Sequence, residues 1–175
     1  MRLIVFSLLT IGLIAGCTGS RNLKDNGLSY LRLGDPMPPS GIMRLKGRAV
    51  RDTMYNQESF VWRASVIRYP QGRVYVEEDF MGQGNVNRIR IQTPELRIQK
   101  QFHVGMTFAD LLAANEDWDV AWLSDYQLLD VISIDHPSVH YLLRDKGKPE
   151  GYFNQEKIST SDVSSDAEIV AIVIM

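Results

Sequence analysis

Apolar and polar residues alternate along much of the chain, and this pattern predicts a protein built mainly from β-strands. The alternation is clearest at residues 59–80, where Phe60, Trp62 and Val66 have the same parity. A Pro-Gln-Gly run at 70–72 interrupts it and predicts the turn of a β-hairpin. Shorter apolar runs predict further strands at 30–33, 42–45, 86–91, 96–98, 120–123, 128–134, 139–143 and 152–153.

One helix is well marked by the sequence that begins at Thr107. Thr107 is a candidate N-cap, and Asp110 three residues later completes the pattern of a capping box. Met106 and Leu111 fit a hydrophobic staple, and Asn115 marks the expected end. A helix of about two turns is unstable alone, so that packing against the rest of the protein must stabilise it.

The β-branched run at residues 169–175 is apolar on both faces, which predicts a central strand. Many strands around one short helix indicate an α+β fold, with a mainly antiparallel sheet and the helix packed on it. We expect residues 30–175 to form a single domain. The polar stretch 17–29 is expected to be a disordered or loosely packed tether.

Residues 1–16 have the layout of a secretory signal peptide. Arg2 supplies a positive start, residues 3–14 are apolar apart from small residues, and two small residues precede Cys17. An apolar stretch of about 12 to 14 residues is too short to span a hydrocarbon core of about 30 Å. The alternative is a buried N-terminal helix or strand, but the polar stretch that follows offers it nothing to pack against.

Residues 13–17, Leu-Ile-Ala-Gly-Cys, resemble the lipobox of bacterial lipoproteins. The resemblance implies that the Cys17 thiol receives a diacylglycerol and that cleavage makes Cys17 the first mature residue. In bacteria with two membranes, Asp after the cysteine favours the inner membrane. Thr18 stands there, so the resemblance implies an outer-membrane anchor facing the periplasm, with surface exposure left open. An ordinary secretory signal with an incidental cysteine is the alternative.

A second, shorter resemblance concerns the start of the helix. Gly105-Met106-Thr107, leading to Asp110-Leu111, resembles the helix starts of small two-layer α/β lipoproteins of the outer-membrane protein assembly accessory type. The Gly-x-Pro that usually closes such a helix is absent, since residues 115–117 read Asn-Glu-Asp. The match covers about ten residues and implies a similar architecture; it carries hardly any implication for function.

Composition limits the chemistry of the mature chain. Removing 16 of the 175 residues leaves 159, enough for one domain with a real core. The net charge of −2 becomes −3 when Arg2 is lost, which argues against nucleic acid as a partner. Cys17 is the only cysteine, so we expect no disulfide, thiolate metal site or cysteine nucleophile in the mature domain.

Two histidines are the candidates for a metal or catalytic site. His136 and His140 would share a helix face, but on a strand they would lie about 13 Å apart, too far for one ion. The flanking sequence favours a strand, although Pro137 leaves a helix start open. His103 does not complete a site. No Gly-x-Ser-x-Gly, Ser-x-x-Lys or His-Glu-x-x-His motif is present, so we expect no catalytic residue, metal or cofactor.

Two charged groups flank the predicted turn after the hairpin. Glu77, Glu78 and Asp79 are consecutive, and neighbours on a strand point to opposite faces, so we expect a solvated edge rather than converging carboxylates. Basic residues are expected on one face of the next strands, opposite Ile89 and Ile91; they are Arg88, Arg90, Arg97 and Lys100. Such a face is suited to lipid head groups, lipopolysaccharide phosphates or an acidic partner, unless it is an ordinary polar face.

These features favour a membrane-anchored, non-enzymatic binding module of the cell envelope, whose partner is a protein or another envelope component. One alternative is an envelope hydrolase or metal-dependent enzyme that uses His136 or His140. Another is a purely structural lipoprotein or a carrier of a small ligand, which an apolar cavity would support.

Overall fold

The computed structural model describes residues 21–23, 27–41, 44–57, 60–79, 81–114, 116–149, 151–153 and 157–175. The predicted signal peptide, Cys17 and residues 18–20 and 24–26 of the predicted tether lie outside the described residues. No helix in the described part is long and apolar enough to cross a membrane.

Strands account for most of the regular structure. They are β1 (Arg21–Leu23), β2 (Gly27–Leu28), β3 (Leu31–Arg32), β4 (Arg44–Leu45), β5 (Arg48–Gln57), β6 (Phe60–Tyr69), β7 (Gly72–Glu78), β8 (Val86–Gln92), β9 (Leu96–Ile98), β10 (Trp118–Leu123), β11 (Leu128–Ser133), β12 (Val139–Arg144) and β13 (Glu168–Ile174). One short α-helix, α1 (Phe108–Leu112), and a 3-10 turn, η1 (Thr160–Asp162), complete the described elements.

Nine of the strands form one sheet in the order β10-β11-β12-β13-β8-β7-β6-β5-β4. Every neighbouring pair in it is antiparallel. Two small pairs stand apart from it, β1 with β9 in parallel and β2 with β3 antiparallel. The described fold is therefore mostly antiparallel sheet with one short helix, which agrees with the predicted mainly antiparallel sheet.

The last strand is central, as its two apolar faces predicted. β13 lies between β12 and β8, so the end of the chain joins the two halves of the sheet. Ile172 and Ile174 belong to the core, whereas Val173 between them is buried without being part of the core cluster. Successive apolar positions place Ile172 and Ile174 in the core and Val173 on the opposite face, where neighbouring strands bury it.

The structure differs from the sequence-based expectations at three places. β5 was not predicted as a strand, although it is ten residues long. The strand predicted at residues 152–153 is wrong, because these residues form a turn in which Phe153 is buried against Trp122 with ring centroids 5.3 Å apart. β1 and β2 fall within the predicted tether, and Leu28 is a core residue, so folded structure begins before residue 30.

The core lies on one face of the sheet, where the helix packs. Phe108 and Leu111 of α1 are fully buried there. The loop before β13 binds the start of the helix, since Phe108 N–H donates to the Ala167 carbonyl at 2.8 Å and Ala109 N–H to the Ser165 carbonyl at 2.9 Å. Two N–H groups that have no partner within a helix are thus satisfied by another part of the chain.

Candidate functional site

The nine-stranded sheet has a core face and an opposite face, which we call the outer face. Alternation along β8 directs Ile89 and Ile91 into the core and Arg88 and Arg90 to the outer face. The pairing register carries this assignment across the sheet, because residues directly opposite each other share a face. One such row joins Ile132, His140, Val173, Arg90, Tyr75, Val66 and Arg51.

Glu77 is the most buried charged residue on the outer face, with 1% exposure. It lies directly opposite Arg88, which pairs with its Oε2, and its Oε1 lies 3.4 Å from Arg90 Nη2. Trp62 Nε1 donates a hydrogen bond of 3.3 Å to Oε2. The predicted solvated edge is therefore wrong for Glu77, because two arginines and an indole cover the carboxylate and satisfy its charge.

Aromatic rings hold the same arginines in place. The guanidinium carbon of Arg90 lies 4.6 Å from the centroid of the Tyr75 ring, and that of Arg73 lies 5.9 Å from it. Arg88 lies 5.9 Å from the Trp62 ring centroid. Cation–π contacts of this kind restrict the arginine side chains, so the rings help to fix the directions in which the guanidinium N–H groups point.

Glu78 and Asp79 have local roles at the turn that follows β7. Glu78 Oε1 accepts from Gly84 N–H at 2.8 Å, and Asp79 Oδ1 accepts from Met81 N–H at 2.8 Å. A register shift between Glu77 and Glu78 makes their side chains point in different directions. The three consecutive carboxylates therefore do not converge, as expected, and each satisfies different donors.

The four predicted basic residues do not share one face. Arg88 and Arg90 lie side by side on the outer face, but β9, which carries Arg97, pairs with β1 and is not part of the large sheet. Arg97 Nη1 donates to the Gln101 carbonyl at 3.1 Å. Lys100 lies in the following turn, exposed and with a positive φ of 68°. The chain leaves the sheet at Thr93 and Pro94, which the alternation did not reveal.

Arginines from other strands, and not Arg97 or Lys100, accompany Arg88 and Arg90 on the outer face. Among the described positions, seven arginines point to this face from six strands; they are Arg44, Arg51, Arg68, Arg73, Arg88, Arg90 and Arg144. The strands carry four carboxylates there: Glu77 pairs with two arginines, Asp130 contacts His140, Glu168 lies opposite Arg144, and Asp119 lies on the edge strand β10. The face is thus strongly basic in a chain whose net charge is −2.

His140 is the histidine that the structure brings to the site. Its Nδ1 lies 2.9 Å from Asp130 Oδ2 and 3.1 Å from Oδ1. His136 lies in the turn before β12 and His103 contacts the Val104 carbonyl, so the three histidines are separate. Among the described residues, no three His, Cys, Asp or Glu side chains are grouped in a way that could hold a metal ion.

A depression of about 480 Å³ lies between Arg90 and Arg144 on the outer face, and we call it the outer depression. Its apolar lining consists of Leu123, Leu128, Leu142, Val170, Ala171, Val173 and Met175. Its polar lining consists of Arg88, Arg90, Gln92, Tyr126, Asp130, His140 and Arg144. No short sequence motif groups these residues, because they come from separate strands and local patterns do not encode the register between such strands.

Two further depressions adjoin it. One, of about 630 Å³, is lined by Arg51, Arg68, Arg73 and Tyr75, and meets the outer depression where Arg90 covers the Tyr75 ring. The other, of about 660 Å³, shares Tyr126 and Arg144 with the outer depression and is also lined by Lys148. The outer face is therefore a continuous, uneven, basic surface suited to binding an anion.

Two carboxylates with a lowered pKa, Asp52 and Asp110, lie away from the outer face and stabilise the fold. Burial alone would raise the pKa of Asp52, but hydrogen bonds from Gly41 N–H at 3.0 Å and Ser65 Oγ at 3.0 Å, with the charge of Arg63, lower it below its ordinary value. Arg63 also donates to the Pro38 carbonyl. This cluster holds the loop before β4 against β5 and β6, and the lowered pKa of Asp52 follows from these structural contacts.

No model of a known protein family matches the chain, and no curated protein sequence matches it either. A solved structure does resemble it, the crystal structure of the uncharacterized protein yfeY from Escherichia coli. The two share 12% sequence identity with a TM-score of 0.62, over 87% of this chain and 98% of that one. At this identity the likeness shows a shared fold.

Proposed function

We propose that this protein is a membrane-anchored, non-enzymatic binding protein of the bacterial cell envelope. Its lipid anchor is Cys17, its place is the periplasmic side of the outer membrane, and its outer face binds an envelope component that carries negative charge. The concentration of arginines on the outer face is the observation that carries this proposal.

Three properties of that surface support binding of an anion. Arg51, Arg68, Arg73 and Arg144 are exposed, so their guanidinium groups reach solvent. Arginine donates in a planar fork that matches the oxygens of carboxylates and phosphates. Burial of Glu77 among Arg88 and Arg90 fixes part of the surface before a partner arrives, which lowers the entropy lost on binding.

The anchor supports a location where such partners are abundant. A lipobox-like sequence at residues 13–17 precedes a short polar stretch, so the domain is held near the membrane surface. Lipid head groups there carry phosphate, and basic residues near an anionic surface each add about 1 kcal/mol of attraction.

In-cell photo-crosslinking tests the proposal. A photoreactive amino acid at Arg68, exposed on the outer face, should capture an envelope component. The same amino acid at Ala109, exposed on the helix on the core side, is the matched control. Capture from Arg68 that weakens at high salt supports the proposal. Equal capture from both positions, or from Ala109 alone, contradicts it.

The contact between His140 and Asp130 favours one second candidate, an envelope hydrolase, because a carboxylate that orients a histidine is part of many hydrolytic sites. The described lining of the outer depression contains no Ser, Thr or Cys, so a water molecule would have to be the nucleophile. His140→Ala should then abolish hydrolysis by the purified protein, and His136→Ala should not. Unchanged activity in His140→Ala would remove this candidate.

A further inference from the structure

The outer depression has a long apolar floor. Val170 on β13 and Met175, directly after β13, mark its ends, and five residues at about 3.3 Å each span about 16 Å. With C–C bonds of about 1.5 Å and angles of about 111°, this is the length of an extended chain of about a dozen carbons. Leu142 on β12 and Val173 on β13 lie between the ends.

A β-bulge shapes this floor. Leu142 is opposite Ala171 and Leu143 is opposite Ile169, so Val170 is an extra residue on β13. Both Val170 and Ala171 line the outer depression as a result. The small side chain of Ala171 keeps the floor low where a larger residue would fill it.

Cations are concentrated at one end of the floor. Arg144 is exposed and lines both the outer depression and the adjoining one, which Lys146 and Lys148 also line. Within the described part of the chain, Arg144 makes no ion pair, whereas Lys146 Nζ lies 4.0 Å from Oε2 of Glu168, the residue directly opposite Arg144 on β13. The nearby carboxylate of Asp145 accepts from Gly147 N–H and Ser164 N–H, each at 2.8 Å.

The opposite end differs in its charge balance. Arg88 and Arg90 lie there, but Glu77 pairs with both of them. Arg144 is exposed and outside any ion pair of the described residues, so an anionic group can bind it directly while the apolar part of the same molecule lies along the floor. Arg144 and the neighbouring Lys148 suit a phosphate, which carries close to two negative charges as a monoester.

We propose that the outer depression binds an amphiphile with one acyl chain and a phosphate head group. The acyl chain lies along the floor over Leu142 and Val173, and the phosphate contacts Arg144. This inference rests on the proposed function, because it names the class of ligand that the same face binds.

Calorimetric titration with dodecyl phosphate below its critical micelle concentration tests the inference. The chain from Thr18 onward is used, since it contains every described residue and its core begins at Leu28. We expect saturable one-to-one binding, with a Kd that falls about two- to four-fold for each methylene added between octyl and dodecyl phosphate. Binding that is independent of chain length, or no saturable binding, overturns the inference.

Changes of head group examine the phosphate contact. Dodecanoate, with a single charge, should bind about ten-fold more weakly than dodecyl phosphate, and dodecyltrimethylammonium should not bind. Inorganic phosphate, which has no chain, should bind at least a hundred-fold more weakly. If the cationic or the carboxylate amphiphile binds as tightly as dodecyl phosphate, the phosphate assignment is wrong.

Three variants locate the site. Arg144→Gln and Leu142→Gln should each weaken binding of dodecyl phosphate about ten-fold, and Lys100→Gln, which removes a charge from an exposed turn outside the large sheet, should change it less than two-fold. Arg144 is exposed, so that its variant tests the site even if Leu142→Gln does not fold. Equal loss in Lys100→Gln contradicts the site. If the cross-linker at Arg68 still captures an envelope component while dodecyl phosphate fails to bind, the inference alone is wrong.

Discussion

Glu77 Oε1 lies 3.4 Å from Arg90 Nη2 on the face of the sheet that points away from the core. The Glu77 side chain is 1% exposed, whereas the Arg90 side chain is 26% exposed and that of its neighbour Arg88 is 37% exposed. The anion is therefore buried and the cations can still reach solvent. Because of this asymmetry, removing the two arginines should lower the free energy of unfolding more than removing the charge of Glu77.

The double variant Arg88→Gln/Arg90→Gln should be less stable than the native protein by about 3 kcal/mol, because Glu77 would remain buried without a cation. Glu77→Gln added to that variant should restore at least half of the loss, since it removes the uncompensated charge. Urea denaturation of the native protein, Glu77→Gln, the double variant and the triple variant measures both effects. Arg51→Gln/Arg68→Gln, at exposed positions, should change stability by less than about 0.5 kcal/mol per site. A purely additive triple variant would contradict this explanation.

Local patterns were sufficient for the elements in which one face is buried and the other is solvated. The hairpin of β6 and β7 and the helix start at Thr107 were predicted from such patterns, and the central last strand from a run that is apolar on both faces. β5 was missed because it lies near an edge of the sheet and its residues from Arg51 to Met54 are exposed or only half-buried. A strand with little burial shows little apolar alternation.

The candidate site could be predicted only in part, because local patterns do not show how distant strands pair. Alternation along β8 was enough to place Arg88 and Arg90 together. The neighbours Arg144 and His140 come from a strand about fifty residues later, and their position depends on the pairing of β12, β13 and β8. Pairing between distant strands is decided by the packing of the whole core, so no short segment of sequence contains it.

Asp110→Ala should destabilise the protein by about 1 kcal/mol at neutral pH, because Asp110 Oδ2 accepts from Thr107 N–H at 2.7 Å at the start of α1. This hydrogen bond holds the pKa of Asp110 below its ordinary value of 3.8. A lowered pKa in the folded protein stabilises it above about pH 4, and this contribution is lost as the pH falls through the lowered pKa. The native protein and the variant should therefore converge in stability near pH 2. Thermal unfolding between pH 2 and 7 measures this, with Asp166→Ala, exposed before β13, as the control.

Phe102→Ala should cost about 3–5 kcal/mol, because Phe102 is 1% exposed and packs edge-on against two aromatic rings. Its ring centroid lies 6.0 Å from that of Trp118 and 5.3 Å from that of Tyr141. Phe102→Leu should cost less, because it retains most of the volume. Denaturant unfolding followed by tryptophan fluorescence checks both values, and equal losses in the two variants would show that volume is not the cause.

Cys17→Ser should abolish incorporation of a labelled fatty acid into the protein and release it from the membrane fraction. Each buried methylene contributes about 0.8 kcal/mol, so two or three acyl chains hold a protein firmly in the membrane. Serine has no thiol to receive the lipid, so the variant would lack this anchor. Metabolic labelling and membrane fractionation give the answer. Thr18→Ser, next to the cysteine, should remain labelled. Persistent labelling of Cys17→Ser would show that the lipobox interpretation is wrong.

Gly72→Ala should be strongly destabilising, whereas Gly82→Ala should cost only about 1–2 kcal/mol. Both glycines have a positive φ, 147° and 70°, which L-residues adopt at a cost of about 1–2 kcal/mol. A Cβ at Gly72, however, would lie 2.0 Å from the carbonyl oxygen of Gln92, while a Cβ at Gly82 would meet nothing within 4 Å. The added methyl would therefore separate the start of β7 from the end of β8, beside the basic outer face. Urea denaturation of the two variants compares the costs, and equal destabilisation would contradict the contact with Gln92.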